Sequence, residues 1–455
     1  MKKSINAVKY AGKKVSILGC GKSGFESALA LQKCGATVFV SDMSLINEAH
    51  KKELIARRIE YEENGHTERV LAADLIVLSP AVKPELEILK KAEERGIEIV
   101  GELEIGYQLT SGEYIAITGT NGKSTVTELT YQLFKDVQKE VYCCGNIGDP
   151  LSMFAFKNGI FVLETSSFQL RSIREFRPDY ATILNIDRDH MDWHPDFDDY
   201  INSKARIFEN QTDEDYLILN YDDSVVRSLE SKAKPKIIWV SLQSELQEGV
   251  YLNRDRNTVY FQLGDEKISL FKVSDLRIAG NHNIFNAAVA STFAYLEGLG
   301  LNHIQRTLRN FKGLPHRIEF VLEKNGIKFF DDSKGTNPHA VASALNGINA
   351  PCILIMGGED KDLDFSSLRE PIKKHCKAII AIGKATPKIL KTFSDKVKVV
   401  EATDMEDAVR KSFQNANAGD VVLLSPGCAS FDMFKNYKER GDVFQYWVKK
   451  VAEEN

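Results

Sequence analysis

The stretch AITGTNGKSTVTELT at positions 116–130 constrains the fold more than any other part of the chain. An apolar run stops at Gly119, helical periodicity starts near Ser124, and Gly122, Lys123 and Ser124 occupy the junction. A helix N-terminus carries unpaired N–H groups and about half a positive charge, which suits a phosphate. Gly122 allows close backbone approach, Lys123 adds a full charge, and the Ser124 hydroxyl is a ligand type suited to Mg²⁺. The spacing is not the common phosphate-loop pattern, because Ile117 stands where that pattern has glycine. A glycine turn with a solvated lysine is the bland alternative. It leaves unexplained why the triplet lies where strand gives way to helix.

A second glycine loop lies about a hundred residues earlier. In ILGCGKSG, Gly19, Gly21 and Gly24 fit the dinucleotide pattern GxGxxG between a strand and a helix. Asp42 ends the next strand, where an acidic residue would face a ribose. Alone, this loop reads as a dehydrogenase site or as a packing turn. Around it, the apolar runs KVSILG, ATVFVSD, ADLIVLSP and IEIVGE alternate with helical patterns, which predicts βαβ units and a parallel sheet. The pattern resets at YIAITG and continues through GIFVLE, YATILNID and DYLILN. IIWVSLQSELQEGVYLNRDRNTVYFQL then predicts hairpins at one edge of a central sheet. After the loop FKGLP, the runs CILIMGG, AIIAIGK, VKVVEA and DVVLLSPG repeat the alternation. The expected organisation is three α/β domains, residues 1–101, 102–313 and 314–455, in keeping with roughly 150 residues per domain.

Composition excludes several function classes. With 43% hydrophobic and 27% charged residues the chain can bury a large core, and its net charge of −5 offers no basic footprint for nucleic acid or an anionic membrane. The seven cysteines include no CxxC pair, which argues for reduced thiols rather than a disulfide framework or a zinc site. No run approaches the about eighteen apolar residues of a membrane span, and the lysine-bearing N-terminus has no apolar signal segment. A cytoplasmic protein is expected.

A phosphoryl-transfer site needs carboxylate or imidazole around its metal. GIFVLE delivers Glu164 at a strand end, and NIDRDHMDWH offers Asp187, Asp189, His190 and Asp192 after another strand. An acidic loop after a strand is usually a solvated turn. Two such strand ends in one segment can converge above a single sheet.

Taken together, TGTNGKST, LETSSFQL, NIDRDHMD, GNHNIFNA, GLPHRIE, DDSKGTNPHA, GGEDKDLDF and LLSPGCASFDMFKNYKERGD resemble the Mur ligases of bacterial peptidoglycan synthesis. The resemblance covers essentially the whole chain, in order. It is best to the members that add D-glutamate to UDP-N-acetylmuramoyl-L-alanine. It implies an N-terminal Rossmann-like domain for UDP, a central P-loop ATPase-like α/β domain, and a C-terminal Rossmann-like domain that closes on ATP and binds D-glutamate. The first loop then holds a uridine diphosphate rather than a nicotinamide cofactor: Lys22, Ser23, Asp42, Ser79 and Pro80 fall at the UDP site, and Asn146 and His190 border the sugar-linked substrate. The second loop, Gly119, Thr120, Asn121, Gly122, Lys123, Ser124 and Thr125, holds ATP.

The same resemblance implies ATP phosphorylating the L-alanine carboxylate, then the D-glutamate amine attacking the acyl phosphate. It places one Mg²⁺ on Ser124 and Glu164 and a second on His190. Lys204 in YINSKARIF aligns with a lysine that takes up CO₂ as a carbamate, an anionic ligand where an ammonium would be repelled. Asn283, Asn286 and Asp332 fall at adenine or ribose, and Arg317, after His316, meets the γ-phosphate with help from Lys334. Thr336, Lys361, Ser430 and Tyr437 match the D-glutamate contacts. The expected catalytic set is Lys123, Glu164, His190, Lys204, His316 and Arg317, in a monomer. A folylpolyglutamate synthase would lack the first glycine loop, an NAD-dependent oxidoreductase leaves TGTNGKST unused, and a nucleotide sensor needs no acceptor set.

Overall fold

The computed structural model describes residues 5–454 except 139, 192, 279, 349 and 360–362, and only the backbone of 339. Three sheets follow one another along the chain. The first has strands β1 (Lys14–Leu18), β2 (Thr37–Ser41), β3 (Glu60–Glu62), β4 (Leu75–Leu78) and β5 (Glu98–Gly101), in the order β3-β2-β1-β4-β5. All its pairings are parallel. Its inner strands β1, β2 and β4 read as mainly apolar runs because both faces are covered, whereas the edge strand β3, Glu60-Tyr61-Glu62, is not buried. On β4, Leu75 and Val77 enter one core while Ile76 and Leu78 enter the other. The chain winds outward from β1 and returns at β4, so the crevice outside β1 and β4 is the switch point where such sheets bind ligands.

The central sheet holds β6 (Ser111–Thr118), β7 (Val141–Gly145), β8 (Asn158–Glu164), β9 (Tyr180–Ile183), β10 (Tyr216–Asn220), β11 (Lys236–Ser241), β12 (Gly249–Asn253), β13 (Thr258–Leu263) and β14 (Glu266–Lys272). Their order is β14-β13-β12-β11-β10-β9-β6-β8-β7. β12, β13 and β14 form an antiparallel meander at one edge; the β-rich stretch predicts the β12–β13 hairpin, but β11 pairs with β12 in parallel and β14 lies beyond the stretch.

The third sheet contains β15 (Glu319–Lys324), β16 (Ile327–Asp331), β17 (Cys352–Gly357), β18 (Cys376–Ile382), β19 (Lys398–Ala402) and β20 (Val421–Leu424), ordered β15-β16-β20-β17-β18-β19. It is parallel except for β15, which pairs antiparallel with β16. On β17, Cys352, Leu354 and Met356 pack to one side, and Ile353 and Ile355 to the other. The hairpin of β15 and β16 lies outside the predicted runs, although its Asn325-Gly326 turn carries a strong signal. Both turn residues adopt positive φ, 52° and 75°, as a two-residue hairpin turn requires.

The chain forms two compact units: Met1–Leu276 with His282–Phe311, and Lys312–Asn455 with Arg277–Asn281. The first unit contains both the first and the central sheet. They are joined through the helix Glu102–Leu109, every residue of which is buried. Its polar side chains reach to both sides, although Glu102 Oε2 has no hydrogen-bond partner among the described residues. Gln108 accepts from the Tyr10 hydroxyl at 2.7 Å, and Glu102 from the backbone of Ser152 at 2.7 Å. Glu104 accepts from the backbone N–H groups of Arg174, Glu175 and Phe176. A Cβ on Gly106 would lie 2.7 Å from the Leu151 side chain, so only glycine lets the short helix Leu151–Phe154 approach this closely. Among the described residues, no helix is long and apolar enough to cross a membrane.

Candidate active site

The candidate phosphate loop of the central sheet is built from the end of β6. Gly119 (φ 152°) and Gly122 (φ 85°) take conformations that L side chains rarely adopt, and Gly122 caps the helix Lys123–Lys135. A Cβ on Gly122 would sit 2.7 Å from Asn286 Oδ1, which brings this expected nucleotide contact beside the loop. Lys123 folds back and donates to the carbonyls of Gly119 and Thr120, each at 2.8 Å. Asn185, absent from the predicted set, braces the loop. Its side chain accepts from Asn121 N at 2.8 Å and donates to Asn121 O at 3.1 Å, and its carbonyl accepts from Thr120 N at 2.9 Å. The Thr120 hydroxyl also meets the Tyr200 hydroxyl at 3.1 Å.

Lys204 is only 2% exposed. Its helix, Phe197–Ala205, is capped by Asp196, and the Nζ donates to Gly119 O at 2.8 Å. The ammonium lies 4.6 Å from the centre of the Tyr200 ring, one turn earlier on the same helix. Burial, then the positive charge of Lys123, pushes the Lys204 amine well below the usual lysine range, while Asp189 and Glu164 pull the other way. An amphipathic reading of YINSKARIF would have exposed this lysine. The fold instead places it against the glycine loop after β6.

Glu164 ends β8 and is 2% exposed. Its Oε1 accepts from Asn146 Nδ2 at 2.9 Å, and its Oε2 is buried with no hydrogen-bond partner among the described residues. A buried carboxylate oxygen is seldom left unmet, and a divalent cation is one group that satisfies it. The donor set of Glu164 carboxylate and Ser124 hydroxyl, all oxygen, is the chemistry Mg²⁺ takes. His190 has φ 56° and a side chain 48% exposed, with its ring 3.6 Å from Asp189 and packed against Phe168. Asp192 lies outside the described residues.

In the first sheet, a Cβ on Gly19 would lie 2.9 Å from the Ser79 side chain, so the glycine loop and the residues after β4 share the switch-point crevice. Pro80 follows there. Asp42 accepts from Cys20 N at 2.5 Å and from the Ser44 N–H and hydroxyl at 2.8 Å each. Burial opposes its charge, yet these donors hold the carboxyl below the usual range. Ser23 lies in the first turn of the helix Lys22–Lys33. Lys22, which opens that helix, pairs with Asp149 and donates to Gly148 O at 3.2 Å. That clasp joins the first loop to the loop bearing Asn146.

In the second unit, the ends of β16 and β20 gather the remaining candidates. His316 (φ 60°) is buried, and its Nδ1 lies 2.7 Å from Asp331 Oδ2. That hydrogen bond raises the His316 pKa. Arg317 follows directly, and its charge acts on Asp332. The Asp332 carboxyl is pushed up to about 7 by burial and accepts from the Ser425 hydroxyl at 2.7 Å. Lys334 N donates to His316 O at 3.0 Å and Thr336 N to Lys334 O at 2.9 Å. Ser430 is buried, and Tyr437 O accepts from the Ser333 hydroxyl at 2.7 Å. Lys361 lies outside the described residues.

Three family models match the chain: the MurD N-terminal domain at residues 14–88, the Mur ligase middle domain at 117–294, and the Mur ligase, glutamate ligase domain at 316–428. Among curated relatives, the UDP-N-acetylmuramoylalanine–D-glutamate ligase of Caldanaerobacter subterraneus subsp. tengcongensis is 43% identical over 445 residues, covering 95% of this chain and 97% of the relative. The ligase of the same name from Aquifex aeolicus is 40% identical, covering 96% and 98%. Among solved structures, a MurF ligase from Thermotoga maritima in complex with ADP shares the fold at TM-score 0.59 and 15% identity, covering 99% of this chain and 97% of that one. The UDP-N-acetylmuramate-alanine ligase MurC of the same organism matches at TM-score 0.57 and 16% identity, covering 97% and 100%. With three Mur ligase domain models matched in order along it and relatives 40–43% identical over nearly its whole length, the chain belongs to the Mur ligase family.

Proposed function

We propose that this protein joins D-glutamate to UDP-N-acetylmuramoyl-L-alanine with cleavage of ATP to ADP and phosphate, in the cytoplasmic stage of peptidoglycan precursor synthesis. The observation that carries the reading is the pairing of cradles: a switch-point glycine loop in the first sheet and a lysine-bearing loop in the central sheet of the same unit. Relatives of 40–43% identity that carry this activity in their names support it.

The L-alanine carboxylate takes the γ-phosphoryl group of ATP and ADP leaves. The D-glutamate amine then attacks the acyl carbon, an amide forms, phosphate departs and the amine gives up a proton. The first step brings two anions together, so charge must be neutralised before oxygen and phosphorus align. Lys123 supplies a cation at the helix N-terminus, and Arg317 a planar fork suited to phosphate. Asn185 fixes the backbone that both phosphate and Lys123 meet. Mg²⁺, held by Ser124, Glu164, His190 and a carbamate on Lys204, would supply further charge neutralisation when bound. Carbamate formation consumes a neutral amine, and the burial that disfavours the Lys204 ammonium favours that form. Asn283 and Asn286 with Asp332 take the nucleoside; Lys22, Ser23, Asp42, Ser79, Pro80 and Asn146 take the UDP substrate. Thr336, Lys361, Ser430 and Tyr437 take the acceptor. The domains divide at 101/102 and 313/314, and the working unit is a monomer.

The test is phosphate release from ATP with UDP-N-acetylmuramoyl-L-alanine, comparing D-glutamate, L-alanine and meso-diaminopimelate as acceptors. Release with D-glutamate alone is expected; equal release with another acceptor overturns the assignment.

A further inference from the structure

Arg440 lies on the helix Tyr437–Glu454 and is 2% exposed, the largest of the fully buried side chains. Among the described residues, its hydrogen bonds all go to neutral oxygens. Nε donates to Ser333 Oγ at 3.0 Å, Nη2 to Ser333 O at 2.8 Å, and Nη1 to the carbonyls of Cys428 at 3.1 Å and Ala429 at 3.3 Å. Among the described residues, no carboxylate lies within ion-pair distance. The neighbouring acids are engaged elsewhere: Asp331 with His316 and Gln445, Asp332 with Ser425, and Asp432 with Lys384 N. Burial pulls the guanidinium down to about 10, still charged at neutral pH.

Burying a cation without a counter-charge costs several kcal/mol, and a merely structural role is met at less cost by an apolar side chain. The segments that Arg440 ties together point to another role. Ser333 opens the segment containing Lys334 and Thr336. Ala429 immediately precedes Ser430, and its carbonyl also accepts from Glu359 N at 2.9 Å, which fastens the loop after β17. The Ser333 hydroxyl, which accepts from Arg440, passes its own hydrogen to Tyr437 O. Gly358 leaves room for the guanidinium, since a Cβ there would lie 3.2 Å from Nη1 and 2.3 Å from Ala429 O.

We propose that Arg440 is a positioning residue of the acceptor site: its fork fixes the Ser333 and Cys428 segments at one spacing, and its unpaired charge beneath them selects an acceptor bearing two carboxylates. The inference rests on the D-glutamate reading above. Steady-state kinetics of Arg440→Lys, with each substrate varied in turn, test it. The ammonium keeps the charge but loses the fork, so the KM for D-glutamate should rise about 10- to 100-fold. The KM values for ATP and UDP-N-acetylmuramoyl-L-alanine should stay within threefold, as should single-turnover ADP formation without D-glutamate. Ser333→Ala, which removes the Nε acceptor and the tie to Tyr437, should shift the same constant in the same direction. If Arg440→Lys misfolds, the Ser333→Ala result decides. An unchanged D-glutamate KM, or an equal rise in all three constants, overturns the proposal. Failure of the wild-type protein to use D-glutamate overturns the functional reading instead.

Discussion

Replacing Glu164 by glutamine separates stability from activity. The carboxylate is buried, with Oε1 held by Asn146 and Oε2 unmet. A glutamine of the same shape keeps the Asn146 contact and puts a neutral group where the unmet charge was. Hydrogen-bond deficits of charged groups exceed those of neutral ones by about 1 kcal/mol. In chelator, Glu164→Gln should therefore melt higher than wild type, by about 2 °C for a unit of this size. With Mg²⁺ and ATP the order should reverse. Ligand present at 100 times its dissociation constant stabilises wild type by about 2.7 kcal/mol, and a variant that binds it poorly gains little. Phosphate release should fall about 10²- to 10³-fold, the scale of removing one preorganised charge-stabilising group. Thermal melts in EDTA and in Mg²⁺–ATP, beside an acceptor-dependent phosphate assay, provide the readouts. A variant that melts lower in EDTA, or turns over within threefold of wild type, refutes the argument that this oxygen awaits a cation.

Lys123→Ala should lower the rate on the order of 10²–10³ by the same reasoning, and kinetics within threefold of wild type would contradict its role. Lys204→Ala should lose activity and regain part of it with added short carboxylates; full activity without rescue removes the carbamate from the account. His316 has a folded pKa raised above its ordinary 6.5 by the bond to Asp331. The stability it contributes is therefore fully present below pH 6.5 and is lost as pH rises through the folded value. The urea midpoint reported by probes in the second unit should fall across that window in wild type and flatten in His316→Gln; an unchanged slope would count against the pair.

Much of the fold was legible because strands buried on both faces appear as unbroken apolar runs, and because the glycine loops sit where strand meets helix. The hairpin of β12 and β13 showed in the β-rich stretch, whereas β14 lay beyond it and β11 joins β12 in parallel. The hairpin of β15 and β16 passed unread, though Asn325-Gly326 announced it. The site was harder to see. Helical periodicity places Lys204 on a polar face, and only packing against Gly119 and Tyr200 buries it. Asn185 looks like any polar residue after a strand until its amide is found bracing Asn121. Arg440 sits in a charged stretch, KERGD, that gives no sign of burial. Lys22 and Asp149 are 127 residues apart and pair across two sheets, a relation no local pattern encodes.

The wholly buried helix Glu102–Leu109 makes the first unit act as a measuring gauge. With Gln108 tied to Tyr10 on one side and Glu104 to the Arg174 backbone on the other, the stretch between the two glycine loops cannot lengthen without breaking buried polar bonds. With the sugar nucleotide in the first loop and the phosphoryl donor in the second, as proposed, an arm one residue short would leave its carboxylate out of reach, so length alone would screen precursors before any side chain inspected them.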